Sequence, residues 1–270
     1  MNAQGKVVVV TGAGNGMGRE VTLDLIRRGA RVAAVDINQE ALNQTAQLVA
    51  TGAQLSTHVV NVTELPQVAA LPAAVIAAHG QVDGLINVAG VIHKFKKIQD
   101  LPYDEIQRVF NINFFGVVYM VKEFLPHLLQ RPAAQILNVS SMGGYVPVPG
   151  QTMYGASKAA LKLLTEGLRS ELKGSNVGVS LLFPGAIATN IAVNSGIMTA
   201  AESEIMAKQA GNKFKSTPAP VAGKLIVDAF EQNPFHAFAG SDAKTMDIMS
   251  RIAPEYAANL IQSQMAGLLN

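Results

Sequence analysis

The chain has 270 residues, 49% of them hydrophobic and only 15% charged, enough for one large α/β domain with a sizeable core. A formal net charge of +2 provides no basic surface for nucleic acid, and no nucleic-acid partner is expected. The absence of cysteine excludes disulfides and thiolate metal sites and fits a reducing compartment, and no metal site is expected.

The opening MNAQGKVVVVTG has no basic region followed by an apolar stretch and cleavage site. No apolar run reaches the roughly 18 residues of a membrane span, so a cytoplasmic protein without a membrane partner is expected. Short β-branched runs follow at 6–12, 31–36, 53–62, 84–90, 134–141 and 177–185, with helical patterns near 17–29, 39–51, 64–79, 103–130 and 153–173 between them. This alternation is the signature of βαβ units and a parallel sheet. Most of the strand candidates are apolar without alternation, as a sheet covered by helices on both faces requires. Right-handed crossovers then give a three-layer, doubly wound α/β/α sandwich. From Asn190 to Thr217 the rhythm breaks; a mobile lid and a plain surface loop with a short helix both fit this segment. After Pro218 and Pro220 a helix is expected to Phe230, then a short strand in HAFAG (236–240) and a helical tail. The whole chain, 1–270, is expected to be a single domain.

The first strand runs into TGAGNGMG, Thr11 to Gly18, spaced T-G-x-x-x-G-x-G through Gly12, Gly16 and Gly18. Glycines between a strand and a helix let the backbone approach a pyrophosphate at the helix N-terminus. The second strand ends at Asp36, eighteen residues after Gly18. An acid there accepts hydrogen bonds from a ribose 2′-hydroxyl and repels a 2′-phosphate. Ile37 follows with no adjacent cation, so NAD is favoured over NADP.

In YGASK, Tyr154 and Lys158 stand four residues apart. On a helix that spacing stacks them about 5–6 Å apart at Cβ. A nearby cation lowers a phenol's pKa from ~10, so the pair is a candidate acid/base. NVAG (87–90), Asn113 and VSS (139–141) fall near the carboxyl edge of the same sheet.

With these elements the chain resembles the short-chain dehydrogenase/reductase family over about residues 6–190, in the branch with ~250-residue chains and a single Rossmann-type domain. The matching pieces are TGAGNGMG, Asp36, NVAG, Asn113, Ser141, Tyr154 with Lys158, and PGAIAT (184–189). The resemblance implies that Tyr154 is the general acid/base and that Lys158 lowers its pKa and holds the nicotinamide ribose. It further implies that Ser141 holds the substrate oxygen, that Asn113 supports a water linked to Lys158, and that Thr189 binds the carboxamide. The cofactor, NAD+ or NADH, would lie along Gly12, Asn15, Gly16, Met17, Gly18, Asp36, Ile37, Asn61, Val62, Asn87, Ala89, Gly90, Pro184, Gly185, Ile187 and Thr189, reaching Tyr154 and Lys158. Two positions depart from the family pattern. Asn61 stands where many relatives carry aspartate near the adenine, and NVAG replaces the commoner NNAG.

Residues expected to face a small-molecule substrate are His93, Ser141, Met142, Gly143, Tyr145, Val146, Gln151, Tyr154, Ile191, Ile197 and Met198. Their mostly apolar or small character favours a hydrophobic secondary alcohol or its ketone, with methionines suited to a permissive pocket. Phe110, Phe114, Phe115, Val117, Met120 and Phe124 make the long helix too apolar for one wet face, and relatives pair it with the Tyr154 helix, so a homo-oligomer, dimer or tetramer, is expected. Rival readings are an NADP-dependent carbonyl reductase, a non-catalytic NAD(H) sensor, and a lyase or dehalogenase. Halide-releasing relatives lack the glycine turn and the lysine, both of which are present here.

Overall fold

The computed structural model describes residues 1–50, 52, 54–189, 191–199, 202 and 216–265. The elements run β1 (Val7–Thr11), α1 (Gly16–Arg27), β2 (Arg31–Asp36), α2 (Gln39–Gln47), β3 (Leu55–Val59), α3 (Leu65–His79), β4 (Gly84–Asn87), α4 (Tyr103–Phe110), α5 (Gly116–Leu128), β5 (Ala134–Val139), α6 (Thr152–Glu171) and β6 (Val177–Pro184). Then follow β7 (Ile187–Ala188), α7 (Ile191–Asn194), β8 (Thr217–Pro218), α8 (Ala219–Gln232), β9 (His236–Ala239), α9 (Ser241–Ile252) and α10 (Pro254–Met265).

Seven strands form one parallel sheet in the order β3-β2-β1-β4-β5-β6-β9, and β7 pairs with β8 as a separate two-strand patch. The period-two geometry of β1 shows how one apolar run serves both faces. Val7 and Val9 enter a core with Val68 of α3, Val117 and Phe124 of α5 and Leu161 of α6. Val8 and Val10 enter a second core with Val21 and Leu25 of α1, Leu42 of α2, and Ile226 and Phe230 of α8. The expected three-layer sandwich is thus present, and the unalternating strands are explained by burial on both sides.

The long helix expected over 103–130 is interrupted by a π-helical turn, Asn111–Phe115, between α4 and α5. Val117, Met120, Val121 and Phe124 are buried in the chain's own core, which accounts for most of that helix's apolar character. The β7–β8 pairing was not anticipated, because two-residue strands carry no periodicity. The tail is two helices, and Met246 of α9 with Ala257 and Ile261 of α10 packs on Val146 in a third cluster. The candidate lid at 190–217 lies largely outside the described residues; its first part contains α7.

Candidate active site

The strand order reverses between β1 and β4, and open α/β sheets bind ligands outside the carboxyl ends at such a switch point. A cavity of about 300 Å³ opens there. Its wall includes Gly12, Asn15, Gly16, Met17, Gly18, Asp36, Ile37, Asn61, Val62, Ala89, Gly90 and Thr189, together with Ile191. These are residues the sequence placed at the cofactor, apart from Ile191, which it assigned to substrate.

The glycine turn owes its shape to close approach. Gly12 has φ +69, and a Cβ on it would stand 3.0 Å from the backbone of Ala89. A Cβ on Gly18 would overlap the carbonyl of Gly12 itself. Thr11 Oγ1 accepts from Val88 N (3.1 Å) and Ala89 N (3.2 Å), fastening the end of β1 to the NVAG loop. Asn15 caps α1 by accepting from Gly16 N at 2.7 Å. Asp36 accepts from Gly14 N (2.9 Å) and Asn38 N (3.0 Å), so its carboxylate is held over the turn.

The chemical end is built on β5, the following loop and α6. Gly155 of YGASK has no room for a side chain: a Cβ would sit 2.9 Å from Gly143 O. The loop therefore presses against the first turn of α6, and Gly143 lies beside both Ser141 Oγ and the Tyr154 ring. Ser141 Oγ accepts from Gly143 N at 3.1 Å and lies near enough to Tyr154 to act on its acidity. Lys158, 4% exposed, donates from Nζ to Val139 O at 3.0 Å. A Cβ on Gly90 would lie 3.2 Å from both Lys158 Nζ and Asn113 Oδ1, which brings those two polar groups to the inner end of the cavity.

Asn113 sits in the π-helical turn, completely buried. Its amide accepts from Val91 N (2.8 Å) and donates to Val91 O (2.9 Å) and Ser157 Oγ (3.1 Å). Ser157 in turn donates to Tyr154 O at 2.7 Å. Sequence reasoning passed over Ser157, although YGASK contains it. Its position three residues after Tyr154 on a helix was the available signal.

Burial sets the electrostatics of both residues. Burial raises the Tyr154 pKa, opposed by the nearby Ser141. Burial pushes Lys158 down, to about 8. Lys158 remains the cationic group nearest the site at neutral pH, one helical turn from Tyr154.

Other expected site residues stand apart from the cavity wall or are engaged elsewhere. Asn87 is buried inside the sheet, donating to Asn138 Oδ1 at 2.8 Å, and is not on the cavity wall. Asn61 lines the cavity, but its side-chain oxygen already accepts from Thr63 N (3.1 Å) and Thr63 Oγ1 (2.9 Å), which fills both lone pairs. Pro184, Gly185 and Ile187 lie off the wall. Gly185 is pressed against the Asp242 carboxylate, and Ile187 packs in the core beneath α1 and α8. Tyr145 does not offer its hydroxyl to a ligand: it donates to Ala243 O at 2.6 Å, and burial pushes its pKa far up. Val146 is core, and Met142 packs against the same C-terminal cluster. His93 and Gln151 are buried and joined, Gln151 Nε2 donating to His93 O at 2.5 Å. Ile197 and Met198 are half-buried in the segment after α7, which Ser195 ties to the NVAG loop by accepting from Ile92 N at 3.0 Å.

The family model described as short chain dehydrogenase matches residues 6–199, which span the cavity, Ser141, Tyr154 and Lys158. The chain belongs to that family. SadH of Mycobacterium tuberculosis is 32% identical over 97% of this chain and 96% of its own length. A short-chain dehydrogenase/reductase from Burkholderia phymatum, solved in complex with NAD, superposes with a TM-score of 0.83 at 28% identity, covering 95% of this chain and 96% of that one. A short-chain dehydrogenase from Burkholderia cenocepacia, solved in complex with NADP, gives 0.77 at 25% identity over the full length of both chains. The protein is therefore an oxidoreductase of the short-chain dehydrogenase family, with the seven-stranded sheet of that fold. Among its described residues no helix is long and apolar enough to cross a membrane.

Proposed function

We propose that this short-chain dehydrogenase uses NAD(H) to interconvert a secondary alcohol and its ketone, with Tyr154 as general acid/base. The observation that carries the reading is that Ser141 and the Tyr154 ring both stand beside Gly143, with buried Lys158 one helical turn further along α6 and its Nζ against Gly90 on the wall of a cavity that Asp36 also lines.

The residues present fit a dinucleotide. Gly12, before α1, and Gly16 and Gly18 in its first turn put no side chain between the cavity and the backbone there, and the helix N-terminus favours a pyrophosphate. The Asp36 carboxylate on the cavity wall suits a ribose 2′-hydroxyl and opposes a 2′-phosphate. Arg19 turns Nε and Nη2 toward Gly14 O, Thr45 Oγ1 and Gln44 Oε1. When bound, the nicotinamide supplies the acceptor or donor of a hydride. In the oxidative direction the chain's own part is to take the carbinol O–H proton on the Tyr154 oxygen as the C–H bond gives up its electron pair. In the reductive direction Tyr154 returns that proton to the carbonyl oxygen. Ser141 and Tyr154 together hold the oxygen on which negative charge develops, a preorganised pair of donors. Lys158 places a cationic group behind them, and Asn113 and Ser157 fix the start of α6 on which Tyr154 rides.

A hydrophobic substrate is favoured by the small and apolar residues beside Tyr154, Gly143 among them, and by Ile191 on the cavity wall. The protein is further proposed to be a homo-oligomer, a dimer or tetramer, joined through α4–α5 and α6, where Tyr103 (85% exposed) and Leu163 (70% exposed) stand uncovered.

The test combines binding and turnover. Fluorescence titration should show NADH binding tighter than NADPH, and NADH should be consumed with apolar ketones. Tyr154→Phe should lose roughly 10²–10⁴-fold in turnover while keeping NADH affinity. A Tyr154→Phe protein with undiminished turnover would exclude the assignment.

A further inference from the structure

Among the residues on the cavity wall, Asn194 at the end of α7 belongs to none of the sequence motifs. Its side chain meets the cofactor turn directly: Asn15 Nδ2 donates to Asn194 Oδ1 at 3.3 Å. The next residue, buried Ser195, ties the same end of α7 to the loop leaving β4, its Oγ accepting from Ile92 N at 3.0 Å. Two adjacent residues thus reach the turn after β1 and the loop after β4, the two flanks of the switch point. α7 lies between them as a strap along the cavity, with Ile191 at its other end on the same wall.

The cap of α1 fixes which atoms of the contact donate and which accept. Asn15 Oδ1 accepts from Gly16 N at 2.7 Å, so its oxygen is turned to α1 and its Nδ2 to α7. An amide nitrogen only donates, so the atom of Asn194 that meets it is the oxygen. The Asn194 nitrogen, with two N–H groups, is left without a partner among the described residues. The first turn of a helix also leaves backbone N–H groups unpaired, and Met17 and Gly18 of that turn line the same cavity. Donors from two elements therefore meet one stretch of wall, which suits an acceptor-rich anion. No lysine or arginine stands on the wall among the described residues, so a diphosphate there is held by neutral donors and each added N–H counts.

We infer that Asn194 binds the cofactor's diphosphate through its amide N–H groups from the α7 side of the cavity, so that bound cofactor and Asn15 together hold α7, and with it Ile191, against the site. This rests on the dinucleotide reading above and is independent of the substrate's identity. It gives the substrate-side element a direct part in retaining the cofactor, through a residue outside the glycine turn.

The experiment is calorimetric titration of the full chain with ADP-ribose, which carries the diphosphate without the nicotinamide, and with adenosine, which carries no phosphate. In Asn194→Ala the Kd for ADP-ribose should rise about 10-fold while that for adenosine is unchanged. Asn194→Asp separates the donor role from the strap. Its carboxylate can still accept from Asn15 Nδ2, but it offers no donor and sets a negative charge beside the diphosphate. The expected loss is about 100-fold, and the gap between the Asp and Ala variants should narrow as salt is raised. Asn194 is exposed, so neither change removes core packing, and urea unfolding checks that both variants fold as wild type does. An Asp variant that binds ADP-ribose as wild type does would leave Asn194 a latch alone and overturn the inference. Unchanged ADP-ribose affinity in both variants, or equal losses for ADP-ribose and adenosine, would overturn it too. A wild-type chain that binds neither ADP-ribose nor NADH would instead overturn the dinucleotide reading beneath it.

Discussion

Replacing Lys158 by methionine separates what the residue does for chemistry from what it does for the fold. The side chain is 4% exposed, and burial lowers its pKa from 10.5 to about 8. A drop of that size corresponds to about 3 kcal/mol of folding free energy while the lysine is charged in both states. The sign follows from proton counting. Below pH 8 folded and unfolded chains both carry the proton, and the folded state bears the whole desolvation cost. Between 8 and 10.5 only the unfolded chain stays protonated, so stability rises with pH; above 10.5 the cost is gone. Methionine keeps the unbranched bulk, removes the charge and forfeits the bond to Val139 O, worth about 1 kcal/mol. Lys158→Met is thus expected to be more stable than wild type by about 2 kcal/mol at pH 7, with little turnover. Urea unfolding of both proteins, at pH 7 and above pH 10, isolates the effect, because every other titrating group is common to the two. An advantage that shrinks as pH rises supports the account. A variant less stable at pH 7, or a difference independent of pH, would refute it.

Gly18→Ala should abolish cofactor binding as well as destabilise the chain, since its Cβ would overlap the Gly12 carbonyl in the turn that meets the pyrophosphate; calorimetric titration with NADH reads the first effect and urea unfolding the second. Tyr145→Phe should cost about 1 kcal/mol of stability through the lost bond to Ala243 O, with kcat little changed, because that hydroxyl faces α9 and not a ligand. Leu163→Glu places a charge on a 70%-exposed apolar position of α6 and should reduce the particle size found by light scattering; a 28.4 kDa wild-type particle at micromolar concentration would defeat the oligomer proposal outright.

Where the sequence was legible, the reason is locality. The glycine turn, Asp36 and the Tyr154–Lys158 pair each lie within one strand–turn–helix or one helical turn, so spacing alone sets their geometry. The misplacements share the opposite property. Tyr145 was assigned to the substrate, but its partner Ala243 stands ninety-eight residues away on a helix whose docking no local pattern records. Asn61 has the oxygen that an adenine contact needs, yet Thr63, two residues on, takes both of its lone pairs in a turn that the side chain itself creates. Asn87 stands at a strand's end like a ligand residue and instead bridges to Asn138 of β5, a pairing set by sheet register. The π-helical turn at Asn113 is a departure of backbone geometry with no compositional mark. Its consequence is that one buried amide clamps Val91 and Ser157 at once, so the loop leaving β4 and the helix bearing Tyr154 are held by the same side chain.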